Sequence, residues 1–358
     1  MLRLAGIGAL GNMLSHSAMH LLGENSPARF LRIYDRNPVD ITKAHRREAW
    51  QVHGAKLVSS YEELIQGGDL EGIIICGGKN GDDISIFTQV INQINQHYPD
   101  DNKPFILHFS TVSVEFVESA NKACYHHKIE YANYPLTGGV KGAETATMLV
   151  LASGAKSLYE RLEPLLRKIG KPNYYGEEVS MGAKVKLIGH LMVFNGLMGI
   201  TSAAALQNKS LKLSLQTEEE FFNFLNQGAG GTRQWDITLK QAIVEGVWDK
   251  GFLLVHAAID AIYTADLLIK YHMPAISIYP ILQISTAFSF LVDQYGPQIA
   301  TQSLLKAMVA SPGALDEFTR RFQDIDIQAF LENSIKALPG SLQEKVKLRI
   351  TEQDFVLS

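Results

Sequence analysis

The sequence predicts an α/β protein in which an amino-terminal doubly wound parallel sheet is followed by a long interdomain helix and an all-helical domain. Three observations predict it. Apolar runs of strand length alternate with amphipathic stretches through about the first half of the chain, the pattern of repeated βαβ units. The first run ends in the glycine-rich turn Gly6-Ile7-Gly8-Ala9-Leu10-Gly11, which leads into a helix-compatible segment and makes the sheet Rossmann-type. Beyond Lys184 strand signals cease, and long helical patterns are punctuated by Gly228-Ala229-Gly230-Gly231, Pro274, Pro280 and Pro312.

Strands are predicted at Leu2–Gly6, Phe30–Tyr34, Gly72–Cys76, Phe105–Phe109, Ile129–Tyr134 and Met148–Ala152, with a short one at Asn173–Tyr175 and helices between them. The predicted organisation is a dinucleotide-binding domain over 1–180, an interdomain helix over 181–207, a helical domain over 208–336 and an unassigned charged tail over 337–358. The cluster Gly77-Gly78-Lys79-Asn80-Gly81 and the turn after Phe109 follow strand carboxyl ends, the side on which doubly wound sheets bind ligands.

Composition narrows the function classes. The chain has 358 residues, 46% hydrophobic and 20% charged, with a net charge of −4, so no basic excess points to nucleic acid. Two cysteines, Cys76 and Cys124, are too few for a disulfide framework or a clustered metal site, and both read as buried thiols. No metal is expected. The amino end is consumed by the first strand and its turn rather than by a cleavable leader, so a cytoplasmic setting is expected. Leu187–Leu206 is apolar and long enough for a membrane span. It holds Gly189, His190 and Asn195, and with a mean hydropathy of zero for the chain it reads as a buried helix rather than an anchor.

In the glycine turn, Gly6 is expected to let the chain turn out of the strand, Gly8 to let a pyrophosphate approach the backbone, and Gly11 to let the helix lie close to the sheet. The helix amino end offers N–H groups and partial positive charge to the phosphates. Asp35 ends the second strand, where a carboxylate bonds the adenosine ribose hydroxyls and repels a 2′-phosphate, favouring NAD. The adjacent Arg36 pairs instead with that phosphate, which keeps NADP open.

Four phrases together resemble the β-hydroxyacid dehydrogenase family, of the 3-hydroxyisobutyrate dehydrogenase-like type, across most of the chain. They are the glycine turn, Ser110-Thr111-Val112-Ser113, Tyr134-Pro135-Leu136-Thr137-Gly138-Gly139-Val140-Lys141-Gly142-Ala143-Glu144, and Gly182-Ala183-Lys184-Val185-Lys186. The resemblance implies an NAD(P)-dependent oxidoreductase acting between a small 3-hydroxy acid and its aldehyde or keto acid, and self-association through the helical domain. It implies that Thr111 lies on the cofactor side, that Ser110, Thr137, Gly138 and Gly139 meet the substrate, and that Lys186 is the general acid/base. An ammonium group suits that role, because a proton must leave the hydroxyl, or return to the carbonyl oxygen, as hydride is exchanged at carbon. Lysine titrates near 10.4, so it serves as the base only where burial or positive charge lowers its pKa. Lys184, two residues earlier, falls roughly opposite on a helix.

The chain departs from the family pattern twice. One turn after the lysine, where the family carries asparagine, stands His190, which is expected either to assist catalysis or to pack as an ordinary core histidine. The family's Lys-Asp pair in the helical domain is here Ile259-Asp260, which leaves Asp260 at the substrate and removes a cationic anchor. Arg233 or His256 is the expected substitute. Two alternatives stand beside the dehydrogenase: an imine reductase on the same fold, and a catalytically silent NAD(P)-binding sensor or scaffold.

Overall fold

The computed structural model describes residues 1–23, 25–211, 219–310 and 327–355. The chain divides into two compact units, Met1–Lys186 with Lys347–Ser358, and Leu187–Val346. Pro312, read as helix punctuation, lies outside the described residues.

The first unit is built on a six-stranded parallel sheet with strand order β3-β2-β1-β4-β5-β6. Its strands are β1 (Leu2–Ile7), β2 (Ala28–Tyr34), β3 (Lys56–Leu57), β4 (Gly72–Ile75), β5 (Phe105–His108) and β6 (Tyr131–Asn133). The central strands are apolar on both faces, as a sheet covered by helices on each side requires. Leu4, Ile33, Ile73, Ile74, Ile75, Ile106 and Leu107 are fully buried. The order reverses between β1 and β4, and that reversal opens a crevice at the strand carboxyl ends. Helices α1 (Asn12–Met19), α2 (Ala44–Val52), α3 (Tyr61–Ile65), α4 (Asn80–His97) and α5 (Val114–His126) make the crossovers.

A second sheet follows, with β7 (Leu136–Thr137) antiparallel to β8 (Met148–Ala152), which is parallel to β9 (Gly170–Tyr174). Helix α6 (Gly139–Glu144) lies between the first pair and α7 (Lys156–Ile169) between the second. Gly170 is forced by closeness: a Cβ there would stand 1.9 Å from the Met148 carbonyl oxygen. β3 and β7 were not expected from the sequence, since two-residue strands carry no periodicity and are defined by their partners. β9 also starts three residues earlier than predicted, through a half-exposed stretch containing Pro172.

The helical unit continues α8 (Met181–Leu211) and adds α9 (Glu219–Leu225), a π-helical turn (Trp235–Leu239), α10 (Lys240–Glu245), α11 (Leu254–Lys270), α12 (Ala275–Tyr295), α13 (Ser303–Ala310), α14 (Ile327–Lys336) and α15 (Gly340–Val346). Among the described residues two helices reach the length and hydropathy of a membrane span, α8 and, not expected from the sequence, α12. The α12 window is 61% buried, and its Ile281, Leu282, Phe288 and Leu291 lie in the core packed on α11, as in a central helix of a globular domain.

Of the tail left unassigned by the sequence, the part up to Val346 belongs to the helical unit, and the part from Lys347 belongs to the first unit. Phe355 is buried, its ring 5.3 Å from Phe116 and 6.0 Å from Phe87, and the carbonyls of Lys347 and Ile350 accept from Asn80 Nδ2 and Ser119 Oγ.

Candidate active site

The glycine turn sits where β1 leaves the sheet. Gly8 has φ +73°, and a Cβ on it would stand 2.1 Å from the Cys76 carbonyl oxygen, so both conformation and space demand glycine. The sharp turn is therefore at Gly8 rather than at Gly6, which lies inside β1, where an added Cβ would meet the Phe30 ring at an ordinary 3.4 Å. A Cβ on Gly11 would reach 3.0 Å from the Gly8 carbonyl oxygen, so Gly11 spares the turn itself. Gly11 is also the amino-terminal cap residue of α1 and offers no capping side chain, which leaves the first-turn N–H groups suited to an anion.

Asp35 is buried at the end of β2. One carboxylate oxygen accepts the Leu10 N–H at 3.0 Å; the other accepts the Asn37 N–H at 3.0 Å and Lys43 Nζ at 2.9 Å. It thus clamps the glycine turn to the β2 loop. The Arg36 side chain is 72% exposed and pairs with Asp82 at 3.3 Å. Three residues of this wall escaped the sequence reading. Lys43 offsets the Asp35 charge, Arg46 donates to the Leu10 carbonyl at 2.8 Å, and the buried Trp50 donates to the Ala9 carbonyl at 2.9 Å. Their partners on the turn lie 36 and 41 positions away for Arg46 and Trp50, so no local pattern announces them.

Across the crevice, Ser110 is buried at the end of β5 and its Oγ accepts the Gly77 N–H at 3.1 Å, which joins the loops after β4 and β5; Thr111 follows it, half-buried. Cys76 is half-buried rather than buried, and desolvation pushes its thiol up to about 12, so it stays protonated at neutral pH. Cys124 is fully buried.

Thr137 pairs with Leu149 on the second sheet, and the chain then turns through Gly138 (φ +137°) and Gly139 (φ +65°) into α6. Both glycines are exposed, which gives a ligand access to their backbone. The same sheet fixes the start of α8. The Gly182 N–H donates to Ser153 Oγ at 2.9 Å, and a Cβ on Gly182 would stand 2.3 Å from the Leu151 carbonyl oxygen. Lys186, one turn later on the same helical face, is buried. Lys184 is ion-paired with Glu178 and only half-buried, in line with its different direction on the helix.

In the helical unit, His190 on α8 and Asp260 on α11 are both buried, with Nδ1 3.7 Å from Oδ2. The imidazole is flanked by Phe194 and Phe252, with ring centres 5.4 and 5.7 Å away. An imidazole buried near a carboxylate is the kind of group that holds and passes a proton. Arg233 and His256 are exposed, the former on the turn that meets α8 through Thr232 against Gly196. The structure therefore brings His190 and Asp260 together and sets both substitute cations at the surface.

The arrangement matches known proteins. Residues 3–189 match the family model of the NAD binding domain of 6-phosphogluconate dehydrogenase. Among curated relatives, 2-(hydroxymethyl)glutarate dehydrogenase of Eubacterium barkeri is 25% identical over 149 residues, which is 42% of this chain and 48% of that protein. The chain thus spans about half the length of that relative. Among solved structures, 3-hydroxyisobutyrate dehydrogenase from Salmonella typhimurium superposes with a TM-score of 0.70 at 18% identity, covering 86% of this chain and 99% of the other. An imine reductase from Myxococcus stipitatus, solved with NAD+, gives 0.51 at 13% identity over 86% and 99%.

Proposed function

Because the chain belongs to the β-hydroxyacid dehydrogenase family, its NAD-binding domain matching over more than half of the sequence, we propose that it is an NAD(P)-dependent oxidoreductase that interconverts a small 3-hydroxy acid and its aldehyde or keto acid. The observation that carries the reading is Lys186, buried one turn beyond the point where Gly182 docks α8 on the second sheet. A bound nicotinamide supplies or takes the hydride. Gly8, Gly11 and the α1 amino end bind its pyrophosphate, Gly6 leaves room beside Phe30, and Asp35 and Arg36 frame the adenosine ribose. Ser110, Thr111, Thr137, Gly138 and Gly139 position the reacting end and the substrate carboxylate.

In the reducing direction the Lys186 ammonium gives its proton to the carbonyl oxygen as hydride reaches carbon, and its charge stabilises the developing alkoxide. In the oxidising direction the neutral amine takes the hydroxyl proton. His190, one turn further along α8 and near Asp260, returns the proton to or removes it from Lys186 or the substrate oxygen. With the family's second lysine replaced by Ile259, Arg233 is the cation left to meet a carboxylate.

The His190–Asp260 pair also favours a second reading. An imidazole beside a carboxylate suits protonation of a neutral imine nitrogen as hydride reaches its carbon, which makes an imine reductase the next candidate. A screen of NADH and NADPH consumption across aldehyde acids, keto acids and cyclic imines separates these. Turnover on the acids supports the dehydrogenase, turnover confined to imines supports the reductase, and tight dinucleotide binding without turnover supports a sensor. We further infer a cytoplasmic enzyme without nucleic-acid or membrane partners, self-associating through the helical unit, where Ile188 and Met192 of α8 are exposed.

A further inference from the structure

Beneath the loop that follows β4 lies a buried polar network that the sequence reading did not single out and the proposed chemistry does not use. Asp83 on α4 and His108 at the end of β5 are both fully buried, with His108 Nε2 2.8 Å from Asp83 Oδ2. The other Asp83 oxygen accepts the Gly78 N–H at 2.9 Å. The loop is built to admit that carboxylate, since a Cβ on Gly77 would stand 2.6 Å from Asp83 Oδ1. On the far side of the ring, Nδ1 faces the Tyr131 hydroxyl at 3.2 Å and Asn133 Nδ2 at 3.3 Å.

These contacts fix the protons. Asn133 Nδ2 also donates to the carbonyls of His108 and Ser110, so the amide is oriented with its NH2 group toward the ring. His108 Nδ1 then accepts from the Tyr131 hydroxyl, and Nε2 carries the hydrogen that it donates to Asp83 Oδ2. Burial raises the Tyr131 hydroxyl well above its ordinary range, so it remains a neutral donor to Nδ1. A carboxylate sealed from water needs such a donor, because an unmatched buried charge is costly.

We propose that His108, as its Nε2–H tautomer, is a positioning residue for the dinucleotide site: it orients Asp83, which holds the Gly78 N–H and so sets the loop Gly77–Asn80 beside the sheet's switch point. The inference rests on the dinucleotide-binding reading. The loop is the second wall of that crevice, opposite the glycine turn, and its Gly77 N–H is held in turn by Ser110. Asn133 Nδ2, beside the same ring, donates to the Ser110 carbonyl.

The test is calorimetric titration of NAD+ and NADP+ into the parent, His108→Gln and His108→Asn, with melting temperatures measured alongside. The glutamine amide nitrogen reaches the place of Nε2 and can still donate to Asp83, whereas the asparagine amide reaches only the Nδ1 side. His108→Asn is expected to weaken the preferred dinucleotide by about tenfold, the scale of a lost hydrogen bond to a charged group, while His108→Gln stays within about threefold of the parent. Cofactor KM should follow the same order, with kcat at saturating cofactor little changed. Equal affinities in the two variants, whether weak or strong, would overturn the proposal even if both melt early. Asp83→Asn, nearly isosteric, gives a second route should His108→Asn fail to fold: at least about fivefold weaker binding is expected, and parent-like affinity would overturn the proposal. A parent that bound neither dinucleotide would instead overturn the functional reading beneath it.

Discussion

At the scale of single residues, two positions bear the heaviest demands. Gly8 combines positive φ with backbone contact on the side where a Cβ would project, so Gly8→Ala requires both a strained conformation and a displaced β4 end. The combined cost is about 2–5 kcal/mol, and dinucleotide affinity measured by calorimetry should fall by at least roughly tenfold. Lys186→Ala is expected to lower turnover by about two or more orders of magnitude while leaving dinucleotide affinity nearly unchanged. Lys184→Ala, which removes the contact with Glu178, should keep most activity, and steady-state kinetics on the two variants checks both expectations. Gly8 and Lys186 were legible because a phrase of neighbouring residues surrounds each. Arg46, Trp50, Asp83 and His108 were not, because each meets a partner 25 or more positions away and carries no local pattern.

At the scale of elements, the return of residues 347–355 to the first unit is the main addition to what the sequence suggested. This strap places Phe355 between α4 and α5 and lends the Lys347 carbonyl to Asn80, whose Oδ1 accepts the Ser113 N–H at the start of α5. Phe355→Ala should cost about 3 kcal/mol and lower the melting temperature of the dinucleotide-binding unit by roughly 6–12 °C in a thermal scan. An unchanged melting temperature would show that the strap adds no stability. The charged stretch hides its anchors in a short alternation, Leu348 and Ile350 buried between the exposed Lys347 and Arg349, with Phe355 following. The strands of the six-stranded sheet were legible for the opposite reason. Parallel strands covered on both faces become continuous apolar runs, and five of the six announced themselves that way, with β3 too short to do so.

At the scale of the whole molecule, apolar side chains on α8 suggest how copies of the chain meet. Met192 is 74% exposed and Ile188 55% exposed on a helix whose apolar window is only one-third buried. Such an exposed apolar surface is expected to be covered by a second copy. Light scattering after size exclusion should give at least a dimer, and Met192→Glu with Ile188→Glu should shift it towards monomer without changing the helical content. A monomeric parent at micromolar concentration would remove this expectation.

The sequence alone determined the Rossmann-type sheet, the turn at its head, the helical second half and the family phrases that nominate Lys186. These depend on short-range spacing: strand periodicity, glycine where the backbone must turn, and a lysine four residues after a docked glycine. Only the tertiary structure decided that Asp35 is engaged by Leu10, Asn37 and Lys43, that His190 lies beside Asp260, that His108 and Asp83 meet under the β4 loop, and that the tail closes on the first unit. The physical reason is common to all four. A buried charge or ring is stabilised by whatever the fold brings within a few ångströms of it, and residues far apart along the chain leave no mark of that meeting in their spacing.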